Sequence, residues 1–523
     1  MELEAKAPDM LLEPVWTRAA QPPEYPQIES DQSVDVCVIG AGIAGLSIAY
    51  MLSRDGAKVV VLDDGPVSGG ATSVTSAHLS NAIDDRFHHI ERIIGEEGAQ
   101  CAAESHTAAI ELIAEIVDTE AIDCDFRWLD GYLFLPTGEN QHVLDREMEA
   151  AHRAGLTGVE KLRTAPLRGF DTGPCLLFPD QARFHPLCYT AGLASAIARE
   201  GGKIFAHSHA DNIDAENGVV HSGEFYVRAK SIVVATNSPI NDRVAIHTKL
   251  AAYMTYMIGA YIPRGSVTDA LYWDLDEPYH YIRIEPTDEE NGEDILLVGG
   301  EDHRTGQAND TDERHARLEA WARKRFPMMR TVCNAWSGQV LETLDGLAYI
   351  GRNPGNDNVY IVTGDSGMGL THGTIAGMLI SDLIAGRANP WTEIYDPSRK
   401  TIKASGTYAE EAVKTGVQYA KWLTPGDVAD AEEIQNERGA IVRHGLKKIA
   451  AYRDEQGELH LFSAVCPHLG CIVQWNPTEM TWDCPCHGSR FDKLGQVMYG
   501  PANKPLVPVD AEVVADAHSK SGV

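Results

Sequence analysis

A glycine-rich turn between two apolar runs constrains the fold of this chain more than any other feature. Residues 34–39 are typical of a buried strand, and Gly40, Gly42 and Gly45 follow it and lead into an apolar helix that ends near Leu52. A second apolar run, residues 58–62, comes directly afterwards. A strand, a helix and a strand within about thirty residues predict a βαβ unit and a parallel sheet.

The chemistry of this turn is that of a dinucleotide site. Glycines permit a tight turn and let the backbone approach a pyrophosphate, whose charge is favoured at the helix N-terminus. Asp63 ends the second strand, where an acidic side chain can accept hydrogen bonds from a ribose. A fingerprint this early in the chain favours FAD over NAD, and no second glycine fingerprint occurs mid-chain.

A second glycine-rich turn occurs late in the chain. It follows the apolar run 359–362 and precedes an apolar helix that reaches about residue 384. A helix N-terminus at this point can stabilise the negative charge of a reduced flavin. The candidate cofactor-binding residues of this turn are Gly364, Gly367, Gly369, Thr371 and His372.

Four of the ten cysteines fall close together near the end of the sequence. Cys466 and His468 form one short motif, and Cys484 and His487 form another. A tetrahedral zinc site is one interpretation, because two Cys/His pairs can bind Zn²⁺. The spacings C-x-H and C-x-x-H fit a Rieske [2Fe–2S] centre better, since there two cysteines hold one iron and two histidines the other.

Charge and apolar run lengths exclude several functions. The chain has 76 acidic and 44 basic residues and a formal charge of −32, which disfavours binding to nucleic acid or to an anionic membrane. The longest early apolar stretch, residues 43–52, is about half the length of a membrane span. We therefore expect no membrane span, and the lack of a secretory signal favours a cytoplasmic location.

Several segments resemble the D-amino-acid oxidase/glycine oxidase type of FAD-dependent oxidoreductase. They are the glycine turn with Asp63 and the segments 68–72, 233–237, 336–351 and 363–373, and the likeness extends over about residues 30–395. It implies removal of a hydride from a carbon that bears an amine, with flavin N5 as acceptor. It adds Ala71, Thr72 and Asn237 to the FAD-binding candidates, and His78 stands where related amine dehydrogenases tether FAD, although an ordinary packed histidine is the alternative.

The candidate catalytic residues lie in the expected substrate lobe. The segments 271–274, 278–283 and 299–307 resemble those of bacterial oxidoreductases that combine an FAD domain with a Rieske domain. The candidates are Tyr279, His280, Arg283 and Arg304. An arginine there could bind a substrate carboxylate through two hydrogen bonds. An ordinary strand with alternating side chains explains the first three residues equally well.

The C-terminal motifs resemble Rieske domains of the cytochrome bc-complex branch over about residues 430–515. The resemblance implies that Cys466, His468, Cys484 and His487 are the iron ligands. It also implies that Cys471 and Cys486 form a disulfide between the two ligand loops. Ser489 matches a residue that donates a hydrogen bond to a bridging sulfide in that branch, whereas Phe491 stands where high-potential members have tyrosine.

We therefore predict an α/β fold with a Rossmann-like FAD-binding domain, an antiparallel-sheet substrate domain and a small all-β Rieske domain. The expected boundaries are an N-terminal arm over 1–32, an oxidoreductase with interleaved lobes over 33–396, a linker helix over 397–429 and the Rieske domain over 430–515. Residues 131–135 and 250–300 are expected to supply strands of the substrate lobe, and residues 91–120 a helix.

The two cofactors together indicate an electron relay. Oxidation of an amine or amino acid yields two electrons, whereas a Rieske cluster accepts one at a time, and flavin can convert between the two. This favours a dehydrogenase that passes electrons to an acceptor protein or a small acceptor. A simple oxidase reoxidised by oxygen and a non-catalytic redox sensor are the alternatives. A Rieske oxygenase would need a mononuclear iron site, whose motif is not found.

Overall fold

The structure is a computed structural model that describes residues 11–18, 23–135, 140–241, 246–287, 292–308, 310–399, 418, 421–422 and 424–510. The chain forms two compact units. One comprises Met1–Asn237, Thr255–Asp302 and Arg314–Ile402, and the other Ser238–Met254, His303–Glu313 and Lys403–Val523. Most of the linker helix predicted for 397–429 lies outside the described residues.

The described helices and strands alternate through the first unit and give way to short strands in the second. The helices are α1 (Ile43–Arg54), α2 (Phe87–Glu120), α3 (His142–Arg153), α4 (Pro186–Arg199), α5 (Thr311–Arg325), α6 (Gly369–Ala385) and α7 (Thr392–Tyr395). The strands are β1 (Gln32–Ile39), β2 (Val59–Leu62), β3 (His78–Leu79), β4 (Arg127–Phe134), β5 (Glu160–Leu162), β6 (Cys175–Arg183), β7 (Lys203–Phe205), β8 (Asn212–Asp214), β9 (Val219–Ser222), β10 (Phe225–Val234), β11 (Leu250–Pro263), β12 (Leu271–Asp274), β13 (His280–Glu285), β14 (Glu293–Arg304), β15 (Val332–Thr343), β16 (Tyr349–Arg352), β17 (Val359–Thr363), β18 (Arg438–His444), β19 (Lys447–Arg453), β20 (Leu459–Ser463), β21 (Gln474–Asn476), β22 (Thr481–Asp483), β23 (Arg490–Asp492) and β24 (Val497–Tyr499).

The predicted βαβ unit forms the centre of a mainly parallel sheet. Its order is β16-β17-β10-β1-β2-β7, and β1 is parallel to both β2 and β10. Helix α6 packs against α1, because Gly373 and Gly377 have no side chain to keep the two helices apart. Both helices therefore begin near the carboxyl ends of the parallel strands, where α/β sheets bind ligands.

The second sheet of this unit is the expected substrate sheet. Its order is β15-β11-β14-β13-β12-β4-β6-β3. The pairs β12–β13, β13–β14 and β4–β6 are antiparallel, while β12 and β4 run parallel. The strands expected within 131–135 and 250–300 are confirmed. The helix expected over 91–120 starts earlier, at Phe87, and Gly95 interrupts it with a φ of 87°.

The N-terminal arm is anchored in the core of the first unit. Trp16 lies in a short 3₁₀ helix, Val15–Arg18, and is fully buried. Its indole N–H donates to the Thr75 carbonyl at 2.9 Å. Leu11 also bridges to Asn334 of β15. The arm therefore contributes to the core and does more than rest on the surface.

The second unit contains two antiparallel sheets, β18-β19-β20 and β21-β22-β23-β24. The two Cys/His motifs lie in the loops that follow β20 and β22. The stretches Ser238–Met254 and His303–Glu313, which belong to the oxidoreductase region of the sequence, are part of this unit.

Helix α2 has 34 residues, but it is not apolar enough to cross a bilayer, and the same holds for every other described helix.

Candidate functional site

The first glycine turn is a cradle that larger residues would fill. Gly40 has a φ of +104°, and a Cβ there would collide with the carbonyl of Ala235, the residue after β10. A Cβ on Gly45 would collide with the Gly40 carbonyl, and one on Gly42 would lie 3.1 Å from Thr72 Oγ1. Protein atoms therefore pack tightly against one side of the turn. With no side chains in the way, a ligand can approach the backbone of the turn closely. This geometry fits the pyrophosphate of FAD.

Asp63 ties the end of β2 to this turn. Its Oδ2 accepts the Ala41 N–H at 2.6 Å, and its Oδ1 accepts the Gly65 N–H at 2.8 Å. Burial raises the pKa of Asp63 to about 6. Each carboxylate oxygen still has a lone pair available, since a carboxylate can accept about four hydrogen bonds. Asp63 can therefore orient the turn and also accept a ribose hydroxyl.

The neighbouring candidates shape the backbone of the same region. Thr72 Oγ1 accepts the Ile43 N–H at 3.0 Å, and Ala71 begins the 3₁₀ turn Ala71–Val74. Asn237 lies beyond β10 in the left-handed region, with a φ of 61°. These residues flank the start of α1, so they are placed to contact a bound dinucleotide.

The second glycine turn contributes its backbone, whereas its two polar side chains point into the protein. Gly364 and Gly367 have φ values of 73° and 74°, and α6 begins at Gly369. Thr371 Oγ1 lies 2.8 Å from His106 Nδ1. His372 Nδ1 lies 2.9 Å from the Asp365 carbonyl, and burial lowers the pKa of this imidazole to about 4. A neutral histidine thus supports the turn at the start of α6.

His78 lies at the beginning of β3 beside the substrate sheet. Its Nδ1 is 3.0 Å from Ser76 Oγ and its Nε2 is 3.3 Å from the Ile282 carbonyl. Its ring meets Tyr281 edge-on at 5.7 Å. Burial lowers the pKa of His78 to about 3, so the imidazole is neutral. Both ring nitrogens have protein partners, as expected of a packed histidine.

Five carboxyl groups converge on the second glycine turn, and motif analysis missed them. A Cβ on Gly367 would approach Asp84 Oδ2 within 2.7 Å, and one on Gly369 would approach Asp365 Oδ2 within 2.8 Å. A Cβ on Gly346 would collide with the Asp85 carboxylate. Asp302 and Glu342 interact electrostatically with this group. We call Asp84, Asp85, Asp302, Glu342 and Asp365 the acidic set.

Burial and mutual repulsion raise the pKa values of the acidic set. The pKa rises to about 6 for Asp84 and Asp365 and to about 7 for Asp85 and Asp302. The pKa of Glu342 lies well above its ordinary value, because burial disfavours its charge and Asp85 and Asp84 repel it. The Asp84 side chain is nevertheless accessible to solvent, and so in part are the other four. These carboxyls therefore face a space that solvent can enter.

Tyr279 is the catalytic candidate that the fold places in this space. Its hydroxyl donates to Asp302, and its ring lies 5.7 Å from that of Tyr281. Thr255 Oγ1 lies 2.9 Å from the Tyr281 hydroxyl and also bonds Asp302. Asp302 Oδ1 is buried, and no described group bonds it. A bound cation would satisfy this oxygen.

The other catalytic candidates lie elsewhere. His280 alternates with the two tyrosines along β13, bonds Asp274 at 3.1 Å and stacks on Trp321 at 4.0 Å. Arg283 is 0% exposed and is paired with Glu285. Arg304 belongs to the second unit, where its Nε donates to the Tyr253 hydroxyl at 3.2 Å.

The second unit brings the two Cys/His motifs together. Cys466 and Cys484 are each 1% exposed, and their thiols form a hydrogen bond. The rings of His468 and His487 lie 4.9 Å apart. His487 Nδ1 is buried without a partner among the described residues, and burial lowers the pKa of this imidazole to about 3. Two paired thiols and two adjacent imidazoles fit a Rieske cluster.

A disulfide and a serine connect the two ligand loops. Cys471 and Cys486 form the predicted disulfide, with 6.4 Å between their Cα atoms. Ser489 Oγ bonds the Cys466 sulfur and accepts the Ala502 N–H at 3.0 Å. Phe491 is fully buried beside them in the core of this unit. The loops are thus linked covalently and through a hydroxyl that is placed to act on the cluster.

Comparisons with known proteins agree with this geometry. The family model for FAD dependent oxidoreductases matches residues 35–383, and that for the Rieske [2Fe-2S] domain matches residues 424–511. A Bacillus subtilis (strain 168) protein named as a Rieske 2Fe-2S iron-sulfur protein, YhfW, is 30% identical over 510 residues, which cover 96% of this chain and 98% of that one.

Two further relatives cover the oxidoreductase part. Gamma-glutamylputrescine oxidoreductase from Escherichia coli (strain K12) is 29% identical over 375 residues, which cover 68% of this chain and 84% of the relative. Glycine oxidase from Geobacillus kaustophilus shares the fold, with a TM-score of 0.57, 17% identity and coverage of 71% and 99% of the two chains. The chain therefore belongs to the FAD-dependent oxidoreductases, and residues 424–511 are a Rieske domain, so its cofactors are FAD and a [2Fe–2S] cluster.

Proposed function

We propose that this protein is a dehydrogenase for a cationic amine that passes electrons one at a time through its own cluster to an outside acceptor. The observation that carries the proposal is the pairing of Cys466 with Cys484 and of His468 with His487 in a chain that also has a glycine cradle for FAD. A cluster in the same chain as a flavin would be redundant if oxygen alone reoxidised the flavin.

We assign the cofactor contacts to the residues that shape the two glycine turns and the Rieske loops. The FAD contacts are Gly40, Gly42, Gly45, Asp63, Ala71, Thr72, Asn237, Gly364, Gly367 and Gly369, with Thr371 and His372 supporting the second turn and His78 beside the substrate sheet. The iron ligands are Cys466, His468, Cys484 and His487. Bound FAD supplies an acceptor for a hydride from the carbon bearing the amine, and the bound cluster supplies a one-electron carrier.

The acidic set supports an ammonium-bearing substrate. Five carboxyl groups around one space attract a cation, and the attraction is stronger where protein replaces water around them. A ligand carboxylate would instead be repelled. Arg283, which could have bound a carboxylate, is already paired with Glu285. The name of the Escherichia coli relative, gamma-glutamylputrescine oxidoreductase, also points to an amine substrate.

Uncharged aromatic side chains also line this space. Tyr279 and Tyr281 keep their phenolic protons, because burial raises their pKa values well above the ordinary value. His78 is neutral. These rings form an uncharged wall beside the acids, which would exclude water from the carbon that loses a hydride. The acids hold the ammonium group, and the tyrosines confine the rest of the substrate.

The acceptor is expected to be a basic protein or a small oxidant. The formal charge of −32 favours association with a basic partner and opposes association with an acidic one. Basic electron-transfer proteins should therefore accept electrons faster at low ionic strength than at high ionic strength.

An anaerobic screen of amines and amino acids tests the proposal. In the holoprotein, a diamine or polyamine should bleach the flavin band, and the cluster should then give a reduced Rieske electron paramagnetic resonance signal. Amino acids should bleach the flavin more slowly. If no compound bleaches the flavin, the redox-sensor alternative is favoured.

A cluster-free variant separates dehydrogenase from oxidase. His487→Cys should abolish the Rieske-type signal because the imidazole ligand is lost. The amine should still reduce its flavin, but turnover with an external acceptor should stop. If this variant turns over in air as fast as the native protein, the enzyme is a simple oxidase. An unaltered resonance signal would contradict the ligand assignment.

A further inference from the structure

The histidine edge of the Rieske centre is covered by a residue from the oxidoreductase region of the sequence. His247, in the 3₁₀ turn His247–Lys249, meets the ring of His468 edge-on at 5.0 Å. His468 in turn meets His487 at 4.9 Å. His247 is 3% exposed, so it is packed within the second unit. Three imidazoles therefore form a continuous row in which the last two are the iron-ligand candidates.

The second ligand loop is covered in the same way. Gln307 Nε2 donates to the Pro485 carbonyl at 3.1 Å. Gly306 lies so close that an added Cβ would be 2.8 Å from the Asp483 carbonyl and 2.9 Å from Pro485 N. The stretches 246–254 and 303–308 thus contact both ligand loops. They contain few residues but include a specific hydrogen bond and a position that requires glycine.

The covered edge carries the more exposed pair of ligand candidates. The cysteine ligands are almost completely buried, whereas the two histidines are only partly buried. Electron transfer through protein slows steeply with distance, so a ring that touches a ligand imidazole is favoured over any longer route. His247 occupies this position beside His468.

The two covering stretches continue along the chain into the substrate sheet. Residues 250–254 begin β11, and residues 303–304 end β14. Further along the same strands, Thr255 and Asp302 bond each other and contact Tyr281 and Tyr279. The strands that carry the covering stretches therefore also carry the wall of the proposed oxidation site.

We propose that His247 is a positioning residue for internal electron transfer, which packs against the ring of His468 and holds this iron ligand in the orientation in which the cluster accepts electrons from the flavin of its own chain. This inference rests on the proposed function. Each transfer moves one electron from reduced flavin to the oxidised cluster, and the N5–H bond of the reduced flavin breaks, with its proton released to solvent, by the time both electrons have left. The remaining electron on the flavin follows once the cluster has delivered the first to the acceptor.

The test reduces the flavin of the holoprotein by light with oxalate as the electron donor, without any amine, and follows cluster reduction by rapid-freeze resonance spectroscopy. His247→Ala should slow cluster reduction by about tenfold or more and change the cluster spectrum. His247→Phe retains a ring against His468 and should restore most of the rate. His444→Ala, in β18 of the same unit, is the matched control and should behave as the native protein.

The outcomes separate this inference from the proposed function. If the native cluster is never reduced by its flavin, the relay itself is wrong. If the native protein transfers electrons and both His247 variants transfer them equally fast with unchanged spectra, the role of His247 is wrong and the relay stands. The Phe variant keeps the test decisive if the Ala variant fails to fold.

Discussion

The Arg283 guanidinium is paired with the Glu285 carboxylate inside the substrate sheet. It also donates to the Ala77 carbonyl at 2.9 Å and lies 5.3 Å from the ring of Trp16. The two residues of the pair are separated by one position on β13, so their side chains lie on the same face of the strand. Arg283 therefore connects the substrate sheet to the N-terminal arm and has no charge left for a substrate carboxylate.

Loss of this guanidinium should destabilise the fold and leave substrate selection unchanged. Arg283→Ala leaves Glu285 with a buried, unpaired charge, which lowers the free energy of unfolding by about 3–5 kcal/mol. Chemical denaturation measures the change. Arg330→Ala breaks a mostly exposed pair with Glu293 and is the control, with an expected loss below about 1 kcal/mol. A normal stability with a raised KM for carboxylate substrates only would instead assign Arg283 to the substrate.

The acidic set should make amine binding depend on pH. Its pKa values lie above the ordinary carboxyl range in the free protein, so the set is partly protonated at pH 6. A bound ammonium group favours the ionised forms, and binding therefore releases protons. KM for a cationic amine should fall as pH rises from about 5 to 7, by about tenfold for each unit below the controlling pKa.

Removal of one acid should weaken this dependence. Asp302→Asn should flatten the profile, because Asp302 has a pKa of about 7 and an unbonded buried oxygen. Asp294→Asn, on the same strand but paired with Arg264, is the matched control and should keep the native profile. A profile that is steep in both variants would show that other groups control binding.

The same pKa shifts determine how the stability of the substrate-free protein changes with pH. A carboxyl whose pKa is higher in the folded than in the unfolded chain binds protons more tightly when folded. Its contribution to stability is therefore greatest at low pH and is lost as pH rises from about 4 through 6–7. Relative to the native protein, Asp302→Asn should gain unfolding free energy as pH rises through this range. An unchanged difference across pH would contradict the assigned shift.

The features that the sequence predicted correctly consist of residues that lie close together in the chain. Within each glycine turn and within each Cys/His pair the residues lie only a few positions apart, so covalent spacing determines most of the local geometry. The pairing of Arg283 with Glu285 was also accessible, since positions two apart on a strand share a face. The acidic set was not, because Asp84, Asp302 and Glu342 come from segments that only the tertiary fold brings together. The contact of His247 with His468 likewise joins residues 221 positions apart.

Ser489 should raise the reduction potential of the cluster. Its hydroxyl bonds the Cys466 sulfur and is held by the Ala502 N–H, so it is placed to stabilise added negative charge. Ser489→Ala removes one hydrogen bond of about 1 kcal/mol, which is roughly 40 mV when 59 mV corresponds to a tenfold change for one electron. Potentiometric titration of the cluster signal should show the decrease. Ser195→Ala, on α4 of the other unit, should leave the potential unchanged.

The disulfide should preserve the cluster and should not be needed to form it. Cys471 and Cys486 are 15 positions apart and link the two ligand loops, and closing a loop of this length contributes about 3 kcal/mol. Replacement of both cysteines by serine should still allow a Rieske signal, since all four proposed ligands remain. The variant should lose its cluster at a lower temperature than the native protein, as measured by visible absorbance during heating. Cys101→Ser, a free and partly exposed thiol, is the control. A double variant that retains its cluster as long as this control would show that the ligand loops are held by their hydrogen bonds alone.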